Sequence, residues 1–163
     1  MRSLSELVAG EAIAVSARYG VTVPRDLVLA VIGIESHGDT MAVRRESDGA
    51  LSRGLMQVKE STARELGLKD PLQLHLPDVG VHYGTAYLAK QLTRYGGRIP
   101  TAVAAYNAGS ARYTQQERFI NQGYVDKVMA RFQQLRRGAS PALWIGLAAV
   151  AGVGLWAASE RSR

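Results

Sequence analysis

The segment from Leu27 to Ile34 limits the folds open to this chain more than any other. Leu27, Val28, Ala30, Val31, Ile32 and Ile34 would place apolar groups on nearly every side of a helix. Such a helix has no face to offer water, so it belongs in the centre of a core. Pro24 suits its first turn, because a missing amide hydrogen costs nothing there. The chain has 163 residues and no cysteine. A disulfide scaffold, a thiolate zinc site and a thiol nucleophile are therefore excluded together. With 47% apolar and 21% charged residues, the composition fits one domain packed around that helix.

The rest of the body also reads as helical. Leu4, Leu7, Val8, Ala12 and Val15 recur at roughly helical spacing up to Tyr19. A polar, glycine-containing stretch runs from His37 to Arg53. A short helix from Glu60 to Leu66 would stop at Gly67. Asp78 is expected to cap a long helix that ends at Tyr95 before Gly96-Gly97. Further helices are expected over Pro100–Asn107 and through Tyr124, Val128, Phe132 and Leu135, which are spaced by four, four and three. Strand-like alternation is confined to a short ribbon around Arg44 to Val58. The fold class expected is an all-α globule over residues 1–137 with a separate tail over 138–163.

Charge separates the two parts. The formal charge is +6, but residues 127–163 hold six basic residues against Glu160 alone. The first 126 residues are thus close to neutral, which argues against a nucleic-acid-binding body. A basic tail points first to a membrane surface or an anionic polymer. Gly138 to Ser159 contains no charge, and every residue from Ala142 to Ala158 is apolar or glycine. As a helix, the uncharged stretch would cover roughly 33 Å against a hydrocarbon core of about 30 Å. Trp144 and Trp156 lie near its ends, where interfacial aromatics are favoured. The segment is expected to be a transmembrane helix with basic flanks; a buried core helix is the alternative. Glu6 interrupts the N-terminus where an export signal needs an apolar core, so no such signal is expected.

Glu35 follows the apolar helix directly. A carboxylate at the end of a buried helix loses hydration, which raises its pKa and suits a general acid. Alone, a glutamate near a helix end is ordinarily solvated. Four motifs change that balance: Glu35-Ser36, Gly54-Leu55-Met56-Gln57, Ala105-Tyr106-Asn107-Ala108-Gly109 and Tyr124-Val125-Asp126-Lys127-Val128. In this order they closely resemble the motifs of the soluble-lytic-transglycosylase family, relatives of goose-type lysozyme. Thr62-Ala63-Arg64-Glu65-Leu66-Gly67-Leu68 and Tyr87-Leu88 extend the resemblance, which covers about Leu27 to Phe132.

The resemblance implies a lysozyme-like fold that cleaves the β-1,4 bond between N-acetylmuramic acid and N-acetylglucosamine in peptidoglycan glycan strands. It also implies closure of the muramyl 6-hydroxyl onto C1 to leave a 1,6-anhydro end. Glu35 matches the family's single catalytic acid/base. Ser36 and Gln57 resemble positions that bond near the glutamate or the sugar amide. Met56 and Tyr106 would line the groove, Asn107 would contact substrate, and Tyr124 resembles the tyrosine whose hydroxyl steadies the carboxylate. Gly54 and Gly109 would permit close backbone approach. Asp39, Glu46 and Asp48 lie in a polar loop outside the motifs. Asp48 is the candidate water-activating base for a hydrolytic lysozyme of the same fold.

The loop Met41–Gly49 is longer and more charged than the family pattern, and His37 departs from it. His37 is expected to be a loop histidine. His75 and His82 match no metal-binding spacing, so neither a metal nor a cofactor is expected. A C-terminal anchor without an export signal points to a bacteriophage virion protein that opens the wall for genome delivery, with virion proteins as expected partners and action in the periplasm. A transglycosylase of a conjugation or secretion apparatus and a non-catalytic glycan-binding assembly protein are the alternatives.

Overall fold

The computed structural model describes residues 2–138. The expected transmembrane helix lies outside the described residues. Among the described ones, no helix is long and apolar enough to cross a membrane.

Helix α1, Leu4–Tyr19, starts at a reciprocal cap. The Ser3 hydroxyl accepts from the Glu6 amide, and the Glu6 carboxylate accepts from the Ser3 amide. It ends at Gly20 in the left-handed region. Helix α2, Arg25–Glu35, is the apolar segment singled out above, and Leu27, Val28, Ala30, Val31 and Ile32 are all buried. It packs between α1 and α6, Gln122–Gly138. Helices α4, Pro77–Arg94, and α5, Ile99–Ala108, complete the bundle, α4 against α1 and α5 against both α4 and α6. Leu88, Leu92, Val103, Val128 and Phe132 close the core around α2.

The all-α expectation needs correction: the body is mostly helical but carries a small sheet. The expected ribbon is a three-stranded antiparallel sheet of β1 (Val43–Arg45), β2 (Leu51–Arg53) and β3 (Val58–Lys59). Its strands are too short to leave a strong alternation signal in sequence. Helix α3, Glu60–Glu65, follows directly and ends before Gly67 as expected. A 3₁₀ turn over Pro71–His75, capped by the Asp70 side chain on the Leu72 amide, was not anticipated. Asp78 does not cap α4. Leu76 holds that place and Pro77 opens the first turn, where the Asp78 charge still suits the helix dipole.

Two glycines fix the sheet to the helices. Gly54 has φ of +72°, and a Cβ there would lie 2.1 Å from the Leu74 carbonyl oxygen. On α4, a Cβ at Gly84 would lie 2.4 Å from the Met56 sulfur. The loop between β2 and β3 therefore seats its backbone directly on the 3₁₀ turn at Gly54 and its Met56 side chain on α4 at Gly84.

Candidate active site

Helix α2 ends at Ser36, whose amide still bonds to the Ile32 carbonyl at 3.1 Å. His37 and Gly38 then take positive φ values of 55° and 88° and turn the chain away. Glu35 is left on the last turn with its side chain 3% exposed. The Tyr124 hydroxyl of α6 donates to Glu35 Oε1 at 2.7 Å. From β1, Arg44 Nη2 donates to Glu35 Oε2 at 3.0 Å. A nearly covered carboxylate thus holds one donor on each oxygen.

These groups open into a cleft of about 540 Å³. Glu35, Arg44, Glu46, Gln57, Tyr87, Tyr106, Asn107 and Arg112 are among its walls. Gln57 is held in the left-handed region at φ of +46°, a conformation that costs energy for a residue with a side chain. Its amide nitrogen donates to the Ala42 and Gly54 carbonyls at 3.0 and 2.9 Å. Both N–H groups are then used, and the amide oxygen is the acceptor left for a ligand. The Tyr106 hydroxyl donates to the Met56 carbonyl at 2.7 Å. Its ring lies 5.1 Å from that of Tyr87. Asn107 accepts through Oδ1 from Asn121 at 2.9 Å, which leaves its own amide N–H groups for the cleft.

Burial raises the Glu35 pKa above the ordinary carboxylate value, and this outweighs the Tyr124 hydrogen bond and the Arg44 charge, both of which lower it. Burial also holds the Tyr106 and Tyr124 phenols well above their usual range, helped by the Glu35 charge. Both phenols therefore stay neutral and remain donors. Glu46 is also partly withdrawn from water, but the Ser52 hydroxyl at 2.6 Å, then Arg44 and Lys59, hold its pKa below normal. The cleft thus contains one carboxyl poised to keep a proton and one fixed as an anion.

The structure brings Glu35, Gln57, Tyr106 and Asn107 to the cleft walls and sets Tyr124 against the carboxylate. It does not bring Met56 or Ser36 there. Met56 is fully buried beneath Gly84 and offers only its backbone carbonyl, to Tyr106. Ser36 is buried too, and its hydroxyl donates to the Leu55 carbonyl at 2.8 Å. It ties the end of α2 to the sheet loop. Asp48 is mostly exposed and ion-paired with Lys59 at 3.0 Å; its pKa is lowered by that bond and by the Ala50 amide. It does not line the cleft. His37 is an exposed loop residue. His75 bonds to the Thr40 carbonyl and His82 to Glu11. Among the described residues, no group of three or more His, Asp or Glu could hold a metal ion.

Sequence reasoning missed Arg44 and gave Glu46 no role. A signal was present: in a ribbon, Arg44 and Glu46 share a face, two residues apart. Arg44 also pairs in register with Ser52, which places it beside the serine that holds Glu46.

The family model described as Transglycosylase SLT domain matches residues 13–123. Protein IpgF of Shigella sonnei is 29% identical over 121 residues, 72% of this chain and 76% of that protein. A transglycosylase of Enterobacteria phage PRD1 is 32% identical over 141 residues, 85% of this chain. The chain spans about half of that phage protein, 49%. Among solved structures, an inactive Glu-to-Gln mutant of the lytic transglycosylase Slt from Pseudomonas aeruginosa is similar, with a TM-score of 0.57 at 25% identity. That likeness covers 78% of this chain and 24% of the larger protein.

Proposed function

The chain belongs to the transglycosylase SLT domain family, the peptidoglycan lytic transglycosylases, and from that premise we propose that Glu35 is the acid/base of glycan-strand cleavage. The observation that carries this is its position: a nearly covered carboxyl with a raised pKa, opening into a groove with neutral phenols and amide groups along it. Such a group keeps its proton nearer neutral pH than an exposed glutamate. The inactivity of the Glu-to-Gln mutant of the Pseudomonas aeruginosa relative supports the same choice of residue type.

In the proposed reaction, the Glu35 proton passes to the oxygen of the MurNAc-β-1,4-GlcNAc bond as the bond from C1 to that oxygen breaks. The Glu35 carboxylate then takes the proton of the muramyl 6-hydroxyl as that oxygen bonds to C1. The product is a 1,6-anhydro end, and the acid is regenerated. Tyr124 steadies the carboxylate after its proton leaves. The Gln57 oxygen and the Asn107 N–H groups match an acceptor and a donor for sugar amides and hydroxyls, and the Tyr106 ring suits a sugar face. No second carboxylate is needed, because the attacking hydroxyl belongs to the substrate. A hydrolytic enzyme would need one. For that role Glu46 is better placed than Asp48, since it lines the cleft.

Mass spectrometry of muropeptides released from purified sacculi, beside the E35Q variant, tests the proposal. Products lighter by one water than hydrolytic ones, absent from the variant, are expected. Hydrated ends would instead indicate a lysozyme.

The resemblance to the phage PRD1 transglycosylase supports a virion-associated role, in which local wall opening in the periplasm serves genome delivery. In this reading residues 1–137 are the enzyme and residues 138–163 a membrane anchor with basic flanks. Truncation after Arg137 should then release a soluble, active body from membranes. An insoluble product would assign the tail to the core.

A further inference from the structure

The Arg44 guanidinium touches two carboxylates at once. Its Nη2 lies 3.0 Å from Glu35 and its Nε 3.3 Å from Glu46. The two contacts are unlike. Glu35 is covered and immobilised by α2 and Tyr124, whereas Glu46 sits on the sheet, fixed by the Ser52 hydroxyl at 2.6 Å. Arg44 itself is half exposed on the outer strand, with a side-chain exposure of 47%. A cation on Glu35 favours the ionised form, and an ionised Glu35 cannot donate a proton. This contact therefore opposes the first chemical step, although burial of Glu35 outweighs it.

We propose that Arg44 is a positioning residue that opposes protonation of Glu35 while it touches that carboxyl and is drawn off it, onto Glu46, when a glycan strand enters. This rests on the reading of Glu35 as the acid. The path is short, because one nitrogen of the guanidinium already bonds to Glu46, and that carboxylate has room to accept a second. A planar fork on Glu46 alone keeps the arginine paired. Glu35 then takes a proton from solvent and is ready to act.

The other charged and titratable groups around Glu35 leave Arg44 as its only cationic partner among the described residues. On α6, Tyr124 is a neutral donor, Asp126 bonds to Gln122, and Arg131 bonds to Gln134 on its own helix. Lys127, also on α6, makes no contact with Glu35. On α5, Tyr106 is neutral and committed to Met56. On the sheet, Lys59 is paired with Asp48. Arg112 lines the same cleft without bonding to Glu35.

The test compares full pH profiles of kcat and kcat/KM for wild type and R44S on soluble, uncrosslinked glycan strands. The basic limb of kcat/KM reports the acid in the free protein, and that of kcat reports it in the complex. Removing the cation raises the Glu35 pKa in the free protein. The kcat/KM limb of R44S should therefore move to higher pH, so that its kcat/KM exceeds wild type severalfold on the alkaline side. The kcat limbs of the two proteins should coincide, because Arg44 has already left Glu35 in the complex. Equal displacement of both limbs would overturn the proposal and make Arg44 a fixed neighbour, and so would the absence of any displacement. R44K, which keeps the charge without the fork, should restore most of the wild-type kcat/KM limb; a limb like that of R44S would also count against the proposal. Failure of the parent reading looks different: wild type itself would release no anhydro product at any pH.

Discussion

The two walls of the cleft are built by opposite means. On one side α2, α5 and α6 present Glu35, Tyr106 and Tyr124 from helices packed into the core; Glu35 and Tyr106 are nearly covered and Tyr124 is partly so. On the other side three strands of two or three residues and the turn after β1 present Arg44, Lys59 and Glu46, charged and partly in water. The helical wall is held by apolar packing, which is dense and resists displacement. The sheet wall is held by ion pairs and a few backbone bonds, whose partners exchange at little cost in a solvated setting. Chemistry that needs a fixed proton falls to the first wall. Recognition of a charged, variable polymer suits the second.

Breaking the helical wall should have the largest effect on cleavage. E35Q should fold normally and lose activity by about 10²- to 10⁴-fold, the usual worth of a positioned acid, as read by anhydromuropeptide release. The same variant should reveal the energetic cost of the acid. A folded pKa raised above the unfolded one gives stability that is complete at low pH and declines as pH rises through the raised value. Wild type should therefore lose Tm relative to E35Q as pH climbs above the ordinary carboxylate range. A Tm difference that is flat in pH would argue that Glu35 is not held protonated by burial.

Next in size is the joint between the walls. Gly54→Ala forces a Cβ into the Leu74 carbonyl at a positive φ. It should cost at least about 2 kcal/mol in urea unfolding, from backbone strain and overpacking together. Activity should fall with it, because the loop that carries Gln57 must shift. A neutral result would mean that the sheet floats on the helices.

Smaller effects should sharpen the contrast. Tyr124→Phe removes a donor from a charged carboxylate, worth about 1.5–3 kcal/mol, and should lower kcat by about tenfold or more. Tyr124 favours the ionised form of Glu35, so its loss should also move the basic limb of kcat/KM to higher pH. Asp48→Asn, on the exposed side of the sheet wall, should change stability by no more than about 0.5 kcal/mol and leave cleavage unaltered. A large loss there would restore Asp48 as a hydrolytic base.

The helical wall was legible in the sequence and the sheet wall was not. The unbroken apolar run of α2 leaves one arrangement possible, with the helix at the centre and Glu35 at its rim. The spacing of Tyr124, Val128 and Phe132 marks the inner face of α6 in the same way. Periodicity fails for strands of two or three residues, because alternation over so few positions cannot be told from chance. It also cannot show whether a motif residue acts by its side chain or its backbone. Met56 was expected in the groove, but Gly84 removes the one Cβ that would have kept it out of the core. Arg44 escaped notice because a charged loop is ordinarily solvated, and only the folded register puts it over Glu35.

The outer strand β1 has a further consequence. Val43–Arg45 forms an open sheet edge, and all three residues are exposed. Open edges invite pairing with other chains and, through it, aggregation. Here the edge is three residues long and carries two adjacent arginines, which repel an identical edge on a second molecule. The cation that meets Glu35 thus belongs to a strand that disfavours self-assembly, and a protein crowded with copies of itself keeps its groove open to a polymer.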